Sequence, residues 1–245
     1  MDAVKTGDIL LFSSNTPTGF LLRTAISSDW NHIGIAVRYV LKNGTPEIVE
    51  GITGTLCVFE TNACERYDHF IGKDIIGAGF SSMDHIIHKY NRIDARIIRP
   101  EVIPEHFATR LARFTKKYRG SRFPSSSKPF LSVWLGVDLF PKSDPDKENM
   151  FCSELVAQYV LECFCENLFE EYSGDLSRVL GQKLPVNANM YTPAHFDINI
   201  SEAGKILAEQ RTIFTKPADL LYIILTPLIL ICFVIMCLSA RFTLK

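Results

Sequence analysis

The chain has 245 residues, and 47% of them are hydrophobic, which is enough apolar material for one sizeable domain or two small ones. This composition excludes a chain that is disordered throughout. The 26 lysines and arginines nearly balance the 27 aspartates and glutamates, and no basic stripe is visible. A nucleic-acid-binding function is therefore disfavoured, and any membrane contact must come from apolar segments.

Runs of apolar and β-branched residues predict strands in the first hundred positions. Residues 7–12 (GDILLF) are typical of a buried strand, and residues 32–40 (HIGIAVRYV) predict a second. Further strands are predicted at 47–52, 55–61 and 95–99. The pair Asn43-Gly44 between two of these runs indicates a hairpin turn, although Asn43-Gly44-Thr45 also fits a glycosylation acceptor. Together these segments predict one antiparallel sheet.

Apolar residues at helical spacing predict three helices. They lie at 18–27 (TGFLLRTAIS), 105–118 and 152–165 (CSELVAQYVLECFC). Residues 121–149 are rich in proline, serine and charge, which indicates a loop insertion with one short apolar piece, FLSVWLGVDLF. Residues 166–218 are interpreted as further helix and loop. The sequence therefore predicts an α+β domain over residues 1–215.

An uncharged run from Leu220 to Ser239 predicts a transmembrane helix over residues 219–240, with a buried core helix as the alternative. The N-terminus does not resemble a secretory signal, and the odd number of cysteines, seven, favours a reducing compartment. We therefore expect a single-pass, tail-anchored protein whose domain faces the cytosol.

Cys152 has the position in the sequence expected of a nucleophile. A thiol attacks as its thiolate, and the partial positive charge of a helix N-terminus favours that anion. Cys152 alone among the cysteines opens a predicted amphipathic helix. A buried structural thiol is the alternative.

His32 is the candidate base, because it begins a predicted strand and is therefore held on a rigid element. A structural histidine is the alternative. His85 and His88, three apart in MDHIIHKY, have the spacing of metal ligands but lack further ligands nearby, so we expect a solvated helix face there. We predict neither a metal nor a cofactor.

Four motifs carry a resemblance to a known family. In chain order they are GDILLF, NHIGIAV, VFETN and FCSELVAQYV, and this series resembles the permuted papain-like branch of the NlpC-type superfamily over about residues 5–165. The YiiX/YebB-like proteins and their relatives in large DNA viruses have the most similar pattern, and the lecithin:retinol acyltransferase-like proteins are more distantly similar. The resemblance implies a permuted papain-like fold, an antiparallel sheet packed against helices.

The resemblance also implies a catalytic triad of Cys152, His32 and Glu60. Glu60 would hold the imidazole in its productive tautomer, as the aspartate does in serine hydrolases. Glu50 lies in a similar predicted strand and remains the alternative third member. A backbone amide at Cys152 would contribute to an oxyanion hole.

These residues predict an acyl-enzyme mechanism on an ester, thioester or amide bond. The predicted anchor favours lipids or lipidated proteins as substrates, and the apolar faces of residues 18–27 and of FLSVWLGVDLF are candidates for an acyl groove. Two alternatives remain open. One is a cysteine peptidase or deconjugase, and the other is a catalytically inactive, membrane-tethered scaffold, in particular a viral one.

Overall fold

Seven strands and four α-helices form the part of the chain that the computed structural model describes, which is residues 4–100, 106–124, 150–164, 191–197 and 206–215. The strands are β1 (Ile9–Ser13), β2 (His32–Lys42), β3 (Thr45–Val49), β4 (Thr55–Asp68), β5 (Lys73–Ser82), β6 (Arg92–Pro100) and β7 (Ile206–Thr215). The α-helices are α1 (Pro17–Ala25), α2 (Met83–Lys89), α3 (Phe107–Tyr118) and α4 (Cys152–Tyr159). A π-helical turn follows at Val160–Phe164, and a short 3-10 helix covers Pro193–Phe196.

The strands form one sheet, in which every pairing is antiparallel. The strand order is β5-β4-β2-β1-β6-β7, and β3 pairs with the far end of β2. Asn43 and Gly44, with φ of 54° and 78°, connect β2 to β3. Positive φ at both central residues is the requirement of a two-residue hairpin turn, which asparagine and glycine meet at low cost. The predicted antiparallel sheet and its hairpin are confirmed.

Helices cover both faces of the sheet, which explains why β1 is buried along its whole length. Side chains alternate across a strand, so Ile9 and Leu11 join one apolar cluster while Leu10 and Phe12 join the other. The first cluster contains residues of α3 and α4, and the second contains residues of α2. A strand buried on both faces is expected to be apolar without alternation, as GDILLF is.

Helix α4 packs across the sheet and joins the late part of the chain to its beginning. The hydroxyl of Tyr159 donates a hydrogen bond to the carbonyl of Gly7 at 2.8 Å. Leu155, Val156 and Tyr159 are fully buried in the first apolar cluster. This packing fixes the N-terminus of α4, and therefore Cys152, beside the first residue of β2. The predicted helix at 152–165 is confirmed in the described residues.

The prediction of helix and loop for residues 166–218 is wrong where the structure describes a strand. Residues 206–215 form β7, which pairs antiparallel with β6 from Arg92↔Thr215 to Pro100↔Ile206. Ala208, Glu209 and Gln210 favour helix intrinsically. Hydrogen bonding to an available sheet edge overrides such a preference, because propensities are weak compared with tertiary context.

Two further predictions lie outside the described residues. They are the anchor at residues 219–240 and most of the loop insertion, residues 125–149. Across the residues that the structure does describe, no helix has both the length and the apolar character needed to cross a bilayer.

Candidate active site

The three side chains predicted to form a triad meet at one end of the sheet. His32 is the first residue of β2, and Glu60 lies in the neighbouring strand β4. The register Ile35↔Phe59 makes Glu60 the neighbour of Gly34, so Glu60 and His32 project from the same face of the sheet. Cys152 reaches them from the first turn of α4.

The three residues lie in series, with His32 between Glu60 and Cys152. The Nε2 atom of His32 shares a hydrogen bond with Oε2 of Glu60. The Cys152 thiol is adjacent to His32 and contributes to raising the pKa of the imidazole. Because Nε2 is engaged by Glu60, Nδ1 is the ring nitrogen left for Cys152. Glu60 is fully buried, while His32 and Cys152 are each 8% exposed, so the thiol and the imidazole lie at the solvent boundary.

The charges of this cluster stabilise one another. Burial alone lowers the pKa of His32, but the adjacent Cys152 and Glu60 outweigh burial and raise that pKa from 6.5 to about 9. Burial acts to raise the pKa of Glu60, yet the facing His32 and the nearby Arg66 hold it well below its usual range. At neutral pH the structure therefore favours an imidazolium between two acidic groups, with Glu60 ionised.

A second layer of polar groups holds the Glu60 carboxylate in place. Its Oε1 accepts a hydrogen bond from the Ser81 hydroxyl at 2.5 Å and lies 3.7 Å from Nε of Arg66. Arg66 is itself buried, and its Nη2 donates to the carbonyls of Glu60 and Gly77 at 2.8 and 2.7 Å. Ser81 and Arg66 thus hold one oxygen of the carboxylate, while the other oxygen faces His32.

Two backbone features make room for this arrangement. At Gly34 a Cβ atom would lie 2.6 Å from Cγ1 of Val58 and 3.3 Å from Cβ of Glu60, so the absence of a side chain leaves space between His32 and Glu60. In β4 the register with β5 shifts between Asn62 and Arg66. Such a bulge bends its strand and re-aims the side chains beside it.

The rings of His32 and Tyr90 stack, with centroids 5.5 Å apart and planes 6° from parallel. Tyr90 is buried and follows directly after α2. Its ring restricts rotation of the imidazole, which is thereby held by a ring face as well as by the hydrogen bond to Glu60.

The first turn of α4 supplies the surroundings of the thiol. Phe151 is the N-cap residue, and Cys152 is the first helical residue. Backbone N–H groups in a first turn have no intrahelical acceptor, so the amide of Cys152 is available to a developing oxyanion. Ser153 fixes this turn by donating to the carbonyl of Tyr191 at 2.6 Å, and Glu154 accepts from the amide of Phe151 at 3.4 Å.

Glu50, the alternative third member, is not at this site. It is exposed and accepts a hydrogen bond at 3.0 Å from the amide of Ala108 in the first turn of α3. Its place in the fold is that of a helix-capping residue. The structure therefore brings Glu60, and not Glu50, to His32.

The two histidines with metal-ligand spacing lie on α2. His88 is exposed, as expected of a solvated face, but His85 is half-buried and its Nε2 atom has no hydrogen-bond partner. Burial lowers the pKa of His85. Within the described ranges, no three His, Cys, Asp or Glu side chains are grouped so that they could hold a metal ion.

A cleft of about 430 Å³ opens onto the Cys152–His32 pair. Most of its lining is apolar or aromatic, and Leu22 and Ile26 come from α1 and its C-cap. Part of the segment 18–27 therefore lines the cleft beside Cys152. The segment FLSVWLGVDLF lies outside the described residues. The remaining large side chains of the lining are Tyr90, Phe123, Phe151 and Tyr191.

Sequence reasoning missed the residues that support the triad, namely Arg66, Ser81 and Tyr90. The sequence did contain one indication for Arg66. It lies an even number of positions after Glu60, and residues at even spacing in one strand face the same side of a sheet. The bulge between them was not visible in the sequence. Ser81 and Tyr90 carry no distinguishing pattern, since their roles come from the pairing of β4 with β5 and from the end of α2.

No family model matches the chain, and no curated protein matches it. Among solved structures, it is similar to a crystal structure described as metalloprotein YiiX from Escherichia coli O157:H7. The two are 16% identical with a TM-score of 0.47, and the match covers 88% of this chain and 99% of that one. The roles of the site residues therefore stand on the geometry of this chain alone.

Proposed function

We propose that this chain is a cysteine-dependent hydrolase or acyltransferase of the permuted papain-like NlpC type. The observation that carries the proposal is that His32 is hydrogen-bonded to Glu60 and lies beside Cys152 at the mouth of an apolar cleft. A nucleophile within reach of a base, which is in turn oriented by a third group, is the recurring arrangement of covalent catalysis.

The reaction proceeds through a covalent acyl-enzyme. The Cys152 thiolate attacks the substrate carbonyl carbon, and the resulting oxyanion is stabilised by the amide at the start of α4. The His32 imidazolium then donates its Nδ1 proton to the departing alcohol, thiol or amine as the carbonyl–heteroatom bond breaks. Neutral His32 next takes a proton from water or another acceptor, which attacks the thioester and restores the thiolate and imidazolium. Glu60 orients the ring throughout.

An acyl group is the substrate part that fits the apolar cleft. Side chains such as Leu22, Ile26 and Phe151 offer contact to hydrocarbon. The uncharged run at residues 220–239 supports tethering to a bilayer, which would raise the local concentration of lipids and lipidated proteins. We therefore favour lipid esters or acylated proteins as substrates, with the domain in the cytosol.

The test is to trap the acyl-enzyme. The full chain is incubated with p-nitrophenyl octanoate, release of p-nitrophenol is followed, and the acylated residue is located by mass spectrometry after digestion. We expect an octanoyl adduct on Cys152. Cys64 is the internal reference, because it is exposed in the same cleft and is the more accessible thiol. Acylation of Cys152 ahead of Cys64 requires activation and not mere access.

The Cys152→Ala and Cys152→Ser variants should lose turnover. If the adduct forms on Cys64 alone, or if turnover survives Cys152→Ala, the proposal fails. If only peptide-like electrophiles label Cys152, the peptidase or deconjugase alternative replaces acyl transfer from lipids. If Cys152→Ala leaves every biological effect of the protein intact, the scaffold alternative replaces both.

A further inference from the structure

The charges that line the cleft are unevenly distributed. Among the described residues that form its wall, His32 and Lys89 are the side chains that can carry positive charge, and no aspartate or glutamate is present. Glu60 is fully buried behind His32 and does not reach the cleft. In the active state the thiolate balances the imidazolium, so the net charge that a substrate meets in the described wall is that of Lys89.

Lys89 is placed close to the reacting groups. It is the last residue of α2, is half-buried, and has its Nζ atom 5.4 Å from the centroid of the Tyr90 ring. The same ring stacks on His32. The ammonium group and the imidazole of His32 therefore both lie against the same aromatic ring.

In the described part of the chain no carboxylate forms an ion pair with Lys89, whereas two other lysines do form ion pairs. Lys42 pairs with Glu47 at 3.2 Å, and Lys117 pairs with Glu162 at 2.6 Å. None of the ion pairs formed among the described residues includes Lys89. A cation beside a largely apolar cleft attracts an anion more strongly than it would in open solvent.

We propose that Lys89 is a specificity-determining residue that selects acyl substrates carrying an anionic group, a carboxylate or a phosphate, next to the scissile bond. The apolar wall receives the acyl chain, and the ammonium group pairs with the negative charge beside the carbonyl. This inference rests on the proposed function and deepens it, because it narrows the substrates to acidic amphiphiles. The covalent steps are those given above.

Four octanoyl thioesters that differ in the charge of the thiol part test the proposal. They are the thioesters of 2-mercaptoethanol (neutral), 3-mercaptopropionate (carboxylate), 2-mercaptoethyl phosphate (phosphate) and thiocholine (cationic). Each is assayed with the full-length wild type and with Lys89→Met, Lys89→Glu and Lys89→Arg. Comparing variants on one substrate cancels differences in thiol reactivity between substrates.

We expect Lys89→Met to lower kcat/KM about tenfold for the anionic thioesters, chiefly through KM, which corresponds to about 1.4 kcal/mol. The rate for the neutral thioester should fall by a much smaller factor. Lys89→Glu should lower the anionic rates further and favour the thiocholine ester, and Lys89→Arg should retain the wild-type preference. The phosphate and carboxylate arms show which anion is selected.

Lys42→Met is the matched control, since Lys42 is exposed near the hairpin end of β2 and does not line the cleft. It should leave all four rates unchanged. If the Lys89 variants change all four thioesters by the same factor, or leave the anionic ones unaffected, Lys89 is not a specificity residue. If the wild type hydrolyses none of the four, the proposed function itself fails, so the two failures are distinguishable.

Discussion

Replacing Glu60 by glutamine isolates the effect of its negative charge on the pKa of His32. The substitution keeps the size of the side chain and its oxygen toward Nε2 but removes the negative charge. In the wild type, burial acts to lower the pKa of His32, and Cys152 and Glu60 together raise it to about 9. Glu60→Gln leaves the burial in place and takes away one of the two opposing groups.

The size of the effect follows from the raised pKa. Titration near 9 in place of 6.5 favours the imidazolium by about 3 kcal/mol, since a tenfold change in equilibrium constant is worth about 1.4 kcal/mol. Cys152 and Glu60 share this stabilisation. We therefore expect the His32 pKa in Glu60→Gln to fall by more than one pH unit. We also expect kcat/KM at neutral pH to fall about 100-fold, chiefly because the imidazole loses the carboxylate that orients it.

The pKa is measured by following the Cε1–H signal of His32 in histidine-labelled protein by NMR, assigned by its loss in His32→Gln. In parallel, the alkaline limb of the pH profile of kcat/KM, which reports loss of the His32 proton near pH 9, should move to lower pH. Glu50→Gln is the matched control and should keep the wild-type profile, because Glu50 only caps α3. A His32 pKa that remains near 9 in Glu60→Gln would refute the electrostatic argument.

Three further predictions concern stability in urea unfolding. Because the pKa of His32 is raised in the folded state, its contribution to the unfolding free energy is fully present below pH 6.5 and is lost as the pH rises through about 9. The difference in unfolding free energy between wild type and His32→Gln should therefore shrink by up to about 3 kcal/mol between pH 6 and 10. A constant difference would contradict this sign. Gly34→Ala places a Cβ 2.6 Å from Cγ1 of Val58 and should cost about 1–3 kcal/mol and lower kcat/KM. Full activity in that variant would show that the space is not needed. Ser81→Ala removes a donor to a buried carboxylate and should cost about 1.5–3 kcal/mol, whereas an unchanged unfolding midpoint would mean that water replaces the hydroxyl.

Strong local patterns allowed much of the fold to be predicted. Three segments have an apolar density or a periodicity that indicates one type of element. They are the run GDILLF, the strand that begins at His32 and the amphipathic helix that begins at Cys152. Strand β5 was missed because Gly77 and Gly79 interrupt its apolar pattern. Glycine is required here by contacts with distant parts of the chain. At Gly77, for example, a Cβ would lie 2.1 Å from the carbonyl oxygen of Ser121, and no local sequence pattern indicates that contact.

Part of the candidate site could be predicted from local sequence patterns, and part of it could not. Cys152 and His32 stand at the starts of regular elements, where chemistry-bearing side chains are conspicuous in a sequence. The preference for Glu60 over Glu50 came from a resemblance and not from spacing, because both glutamates lie in strand-like segments. Their difference arises from the register of β4 against β2, which sets Glu60 beside Gly34 while Glu50 lies just after β3 and caps a helix.

The hydrogen bond from Tyr159 to Gly7 spans 152 positions of the chain, whereas His32 and Glu60 are 28 positions apart. Contacts so distant in sequence form late, because closing a long loop is entropically costly. During synthesis the imidazole and carboxylate can therefore pair within the emerging sheet well before the nucleophile has left the ribosome. In the proposed mechanism the thiol would gain its base only when α4 docks, and this order would keep the unfinished chain from acylating itself or its neighbours.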